Sequence, residues 1–103
     1  MPSTYRITPS DRAVAEEFRR RPIGKHSPAL QRVLNAMRTG PLAGKYVLVA
    51  TRPHREWMLA QLPERPGQPI KLHPNRIFHS IEEAEWEVFK LRWEQHTGER
   101  LED

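Results

Sequence analysis

The chain has 103 residues, 37% of them hydrophobic and 29% charged, with no cysteine. That suffices for one small domain with a thin core, and it excludes disulfides, thiolate metal sites and a cysteine nucleophile. The net charge of +4 is uneven, with ten Lys/Arg against three Asp/Glu in residues 1–52 and seven against ten in residues 53–103, and no apolar run is long enough to span a membrane.

Ten prolines divide the chain into short elements. The start, Met1-Pro2-Ser3-Thr4-Tyr5-Arg6, lacks the features of a secretory signal. Together with the absence of cysteine this suits a reducing compartment, and the expected location is cytoplasmic. The first predicted element is a helix over about residues 9–20. Thr8 is positioned to cap it, Pro9 suits its first turn, and Asp11 stands where a capping-box acid would. Its apolar face is poor, with Val14 and Phe18 one turn apart, so it must dock on another element. Residues 22–27 form a linker after Arg19-Arg20-Arg21.

Ser27 then caps a second helix over 27–39, with Pro28 at its first position. Leu30, Val33, Leu34 and Met37 follow helical spacing and define its buried face. Gln31, Arg32, Asn35 and Arg38 take the other side, and Gly40-Pro41 ends the helix. The period changes at Tyr46-Val47-Leu48-Val49-Ala50, a β-branched run that reads as a strand. Thr51 to Arg55 is a turn, and Trp57 to Leu62 a second strand antiparallel to the first. The loop 63–69 follows. Ile70-Lys71-Leu72 is a short edge strand, His73-Pro74-Asn75 a turn, and Arg76 to His79 an extension of the sheet.

Ser80 and Glu83 form a capping box for a final helix from Ile81 to about Thr97, with Gly98 as its stop. Residues 99–103 read as a tail. The helix carries two apolar stripes: Ile81, Ala84, Val88 and Leu91 on one side, Trp86, Phe89 and Trp93 on another. A helix lying on one small sheet needs a single stripe. The second stripe calls for a further cover, either the N-terminal helices or a separate chain. The fold class is therefore α+β, read as a single domain over 1–103. It comprises two N-terminal helices (1–24 with the linker, and 27–39), a small antiparallel meander of three to four short strands (45–79), and a long C-terminal helix (80–98) packed on it.

No catalytic constellation stands out. Three of the four serines, Ser10, Ser27 and Ser80, occupy cap or proline-linked positions, and no Gly-x-Ser-x-Gly turn is present. The aspartates are Asp11 and Asp103 alone, and most glutamates lie on the last helix as a solvated face. Of the histidines His26, His54, His73, His79 and His96, no two are three or four apart; His73 and His79 make the best pair. The glycines are too scattered for a phosphate cradle. The helix pair over 9–39 could pass for a DNA-binding helix-turn-helix, with Gln31, Arg32, Asn35 and Arg38 towards the groove. The long turn and the acidic last helix disfavour nucleic acid.

The run Lys25-His26-Ser27-Pro28-Ala29-Leu30-Gln31-Arg32-Val33-Leu34-Asn35 is followed by Gly44-Lys45-Tyr46 and Arg55-Glu56-Trp57. Then come Phe78-His79-Ser80-Ile81-Glu82-Glu83-Ala84 and Val88-Phe89. Over roughly residues 20–98 this order resembles the small (alpha) subunit of N,N-dimethylformamidase. The resemblance implies an accessory chain of an amide hydrolase that converts dimethylformamide and water to dimethylamine and formate. It implies no catalytic residue, cofactor or metal ligand in this chain. It also implies a large catalytic partner subunit carrying a mononuclear iron held by tyrosines and a glutamate. On that reading the subunit interface comprises Lys25, His26, Leu30, Gln31, Arg32 and Asn35, together with Trp86, Phe89 and Trp93. The rival classes are a small basic nucleic-acid-binding or regulatory domain and a free-standing protein-interaction module.

Overall fold

The computed structural model describes residues 7–8, 11–40 and 42–101. Three helices and a three-stranded antiparallel sheet follow in the order α1 (Arg12–Arg20), α2 (Pro28–Thr39), β1 (Tyr46–Arg52), β2 (Glu56–Gln61), β3 (Lys71–Phe78) and α3 (Ile81–Thr97). The class is α+β, as the residue pattern predicts. Two compact units divide the chain. One joins the described residues of Met1–Gly40 to those of Lys90–Asp103, and the other holds those of Pro41–Phe89.

In the first unit, regular helix begins at Arg12, later than the capping pattern predicts. One half of the predicted exchange is made, the Thr8 N–H donating to the Asp11 carboxylate at 3.0 Å, while the Asp11 N–H donates to the Thr8 backbone carbonyl at 2.9 Å. Pro9 and Ser10, expected in the first turn, lie outside the described residues, as do residues 1–6, Pro41 and the end of the tail. Arg21 leaves the helix with φ −143°, the extended backbone imposed by the following Pro22. Helix α2 starts as expected. The Ser27 hydroxyl accepts from the Leu30 N–H at 3.2 Å, and Pro28 fills the first turn, where its missing N–H costs nothing. Of the expected face Leu34 is only half-buried, while Leu30, Val33 and Met37 are buried together with Ala36. With Ile7, Ala15, Phe18 and Trp93 they make up this unit's core residues.

The second unit is built on the sheet. β1 and β2 pair from Tyr46 opposite Gln61 to Arg52 opposite Glu56, with a bulge at Thr51. Their hairpin turns on Pro53 and His54, closed by the Arg55 N–H on the Arg52 carbonyl at 3.0 Å. His54 has φ +62°, the left-handed value that the second central position of a type II turn demands. β3 corrects one expectation. The segments read as two strands about a turn at His73–Asn75 form one strand, because both pair with β2. Lys71, Leu72 and His73 oppose Gln61, Ala60 and Leu59, while Ile77 and Phe78 oppose Met58 and Trp57. Residues 74–76 are extruded between them. Pro74 has no N–H for the ladder, and a bulge absorbs the interruption without ending the strand.

Helix α3 is capped by Ser80, whose hydroxyl accepts from the Glu83 N–H at 3.3 Å and donates to the Glu82 carboxylate at 3.1 Å. It stops at Gly98, which takes φ +79° and donates its N–H to the Glu94 carbonyl at 2.8 Å. Residues 81–89 belong to the sheet unit and residues 90–97 to the helical unit. In the sheet unit Glu87 of α3 meets Arg76 of the β3 bulge at 2.8 Å. Among the described residues no helix is long and apolar enough to cross a membrane.

Candidate subunit interface

The residues expected at an interface fall into three environments. Lys25, Gln31, Arg32 and Asn35 are exposed, the last three along one side of α2. Gln31 and Asn35 are one turn apart, and the Gln31 amide donates to the Asn35 carbonyl oxygen at 3.1 Å. Leu30 and Trp93 have no exposed surface, so this chain covers both. In the sheet unit Phe89 is buried and Trp86 half-buried. Their rings stack at 5.7 Å with planes 19° apart.

The division of α3 cuts across both of its stripes. Ala84, Val88 and Phe89 are buried in the sheet unit, and Trp93 in the unit that holds α1 and α2. One helix thus supplies core residues to two units, and such a helix needs apolar residues around more of its circumference than one lying on a single layer.

His26 is half-buried and engaged on both sides. Its Nε2–H donates to the Arg21 carbonyl at 3.1 Å, and its ring lies 5.7 Å from that of Phe18. Next to it lies a residue that the sequence analysis did not single out. Glu17 of α1 clasps the N-terminus of α2, accepting from the Ser27 N–H at 2.8 Å and the Ser27 hydroxyl at 2.6 Å. The hydroxyl bond is the main cause that holds the Glu17 carboxyl below its ordinary range; the backbone bond and the nearby His26 add to it, and desolvation opposes it. Glu17 and Ser27 are ten residues apart on different helices, so no local spacing announces the pair.

In the sheet unit several polar side chains are paired with one another. The Thr51 hydroxyl donates to Glu56 at 2.7 Å, and His79 Nε2 lies 3.4 Å from the same carboxylate. The Thr51 bond is the largest cause of a lowered Glu56 carboxyl, with Arg52 and His79 adding to it against desolvation. His73 Nε2 lies 2.9 Å from the Gln61 amide oxygen, and its ring is 6.2 Å from that of Tyr46. The two histidines judged the best metal pair therefore have separate partners. Among the described residues no three His, Cys, Asp or Glu side chains are grouped so as to hold a metal ion.

The exposed side chains of the helical unit are strongly basic. Arg12, Arg19, Arg20, Arg21, Lys25, Arg32 and Arg38 all reach solvent. Arg12 and Arg19 have acidic neighbours, Glu99 at 3.5 Å and Glu16 at 3.6 Å. Such a surface offers bidentate donors to carboxylates. A family model described as N,N-dimethylformamidase alpha subunit matches residues 5–103, essentially the whole chain. Among curated proteins no sequence matches it.

Proposed function

The chain belongs to the N,N-dimethylformamidase alpha subunit family, and from that membership we propose that it is the accessory small subunit of a heteromeric amide hydrolase. The complex would hydrolyse dimethylformamide to dimethylamine and formate, and this chain would assemble or stabilise the large catalytic subunit. The observation that carries the reading is a family match over nearly the full length. The commitments of the polar side chains support it. Glu17 holds Ser27, Glu56 holds Thr51 and His79, and His73 meets Gln61, so each of these groups has a structural task.

The iron implied by the resemblance would supply Lewis-acid chemistry at the scissile amide. Among the described residues there is one tyrosine, so they do not supply its implied ligand set of tyrosines and a glutamate. Of the two tyrosines, Tyr5 lies outside the described residues and Tyr46 sits beside His73 on the sheet. The proposal assigns the iron to the large subunit. The exposed face of α2, with Gln31, Arg32 and Asn35, and the adjoining Lys25 are proposed to face that subunit.

Native mass spectrometry of the complex recovered from source cells through a tag on this chain, with metal analysis of the same sample, tests the reading. A large partner carrying iron is the expected result. A lone 12.1 kDa species would overturn it. Replacing Arg32 with Ala should reduce recovery of the complex; unchanged recovery removes Arg32 from the interface.

A further inference from the structure

We propose that the connection between α1 and α2, residues 21–25, is a pre-formed docking loop. It would seat Ile23 in an apolar pocket of the large subunit, with Arg21 and Lys25 pairing to carboxylates on the pocket's rim. The inference rests on the accessory-subunit reading and adds to it the contact point and the chemistry of the partner's surface.

The loop is restrained far beyond what a connection needs. At its start the Arg21 N–H donates to the Glu17 carbonyl at 3.1 Å, and the Arg21 carbonyl accepts from His26 Nε2–H at 3.1 Å. That second bond ties one end of the loop to the other. The His26 ring is fixed in turn beside buried Phe18. Beyond His26, Ser27 is held by both oxygens of the Glu17 carboxylate. Gly24 makes the reversal at φ +116°, a conformation that side-chain-bearing residues rarely adopt. The ends of the loop are therefore closed on one another and anchored on α1.

What this scaffold presents is an aliphatic side chain in solvent. Ile23 is 49% exposed, and its sequence neighbours Arg20, Arg21 and Lys25 are exposed as well. A single exposed isoleucine needs no explanation on a surface. An isoleucine on a tightly restrained loop, flanked in sequence by exposed cations, suits an interface anchor: an apolar centre, charged neighbours, and little conformational freedom left to lose on binding. Charge complementarity selects an acidic rim on the partner. An aliphatic apex contributes nothing to phosphate binding, which favours a protein surface over nucleic acid.

The test measures affinity between the full-length chain and the large subunit that co-purifies with it. Ile23→Asp and the double variant Arg21→Glu/Lys25→Glu should each weaken association by about tenfold or more, with melting temperatures unchanged. Added salt should weaken wild-type binding more steeply than binding of the charge-reversed variant. Leu42→Asp, at a still more exposed aliphatic outside the loop, should bind like wild type. Wild-type affinity for Ile23→Asp overturns the loop, as does an equal loss for Leu42→Asp. If the charge reversal abolishes binding to a single-stranded oligonucleotide and leaves the large subunit's affinity intact, the loop is a nucleic-acid contact and the proposal fails. If the wild-type chain recovers no large subunit, the accessory-subunit reading itself falls, and the loop's partner with it.

Discussion

A β-carbon on Gly40 would lie 3.1 Å from His96 Cε1 and 3.2 Å from the Ala36 carbonyl oxygen. At φ −71° the backbone there accepts any residue, so the cost of Gly40→Ala is purely steric. It should destabilise the chain by about 1–2 kcal/mol, and adding His96→Ala should restore part of the loss in urea melts. His54 is the converse case. Its left-handed φ of +62° is strained for a side-chain-bearing residue, so His54→Gly should stabilise the hairpin by up to about 1 kcal/mol, read as a raised melting temperature. Glu17 links stability to pH. Its carboxyl is held below the ordinary range in the fold, so its contribution is complete above about pH 5 and is lost as the pH falls through the folded value. Glu17→Gln should therefore melt lower than wild type at pH 7, and the difference should shrink towards pH 3. An unchanged difference across that range would mean that the clasp does not depend on the charge. Of this residue-scale chemistry the sequence displayed the Ser27 cap and the distinctive His26. It did not display Glu17, because that contact depends on how two helices meet and has no periodicity of its own.

The elements were legible where their ends carry chemical punctuation. Ser27-Pro28 opens α2, and Ser80 and Gly98 bracket α3, each of these caps acting through bonds that its residue type foretells, whereas Gly40 ends α2 in an extended conformation open to any residue. The two serine caps differ in a measurable way. Ser80→Ala removes one cap bond from α3 and should cost about 1 kcal/mol. Ser27→Ala removes the cap of α2 and also the hydroxyl donor to Glu17, so it should cost more. Equal losses in urea denaturation would indicate that the Glu17 contact adds nothing to the cap. β3 was misread because Pro74 signals a turn by its own chemistry. Whether a proline ends a strand depends on whether the next residues find the same neighbour, and Ile77 and Phe78 return to β2. The start of α1 was placed early for a related reason. The Asp11 carboxylate accepts from the Thr8 N–H as the pattern foretells, yet regular helix waits until Arg12.

At the scale of the molecule, α3 governs both compact units, and periodicity could not reveal that. The two stripes were visible as helix faces, but not that residues 81–89 and 90–97 serve different cores. Trp93 has no exposed surface in its unit. Trp93→Ala should cost about 3–5 kcal/mol, a large share of the about 5–15 kcal/mol that holds a typical domain together. Because the helix is continuous, that loss should also lower the urea midpoint of the sheet unit, followed through the fluorescence of Trp57 and Trp86. A sheet midpoint that stays fixed would show the two units to be energetically independent. The interface readings belong to this scale as well. Leu30 and Trp93 are enclosed by their own chain, whereas Lys25, Gln31, Arg32 and Asn35 stand in solvent. The split of α3 also bears on how the protein is born. The helical unit recruits residues 90–97 to a core whose other members lie before residue 40. During synthesis α1 and α2 emerge first, and this unit gains Trp93 only after the intervening residues 41–89 have been made.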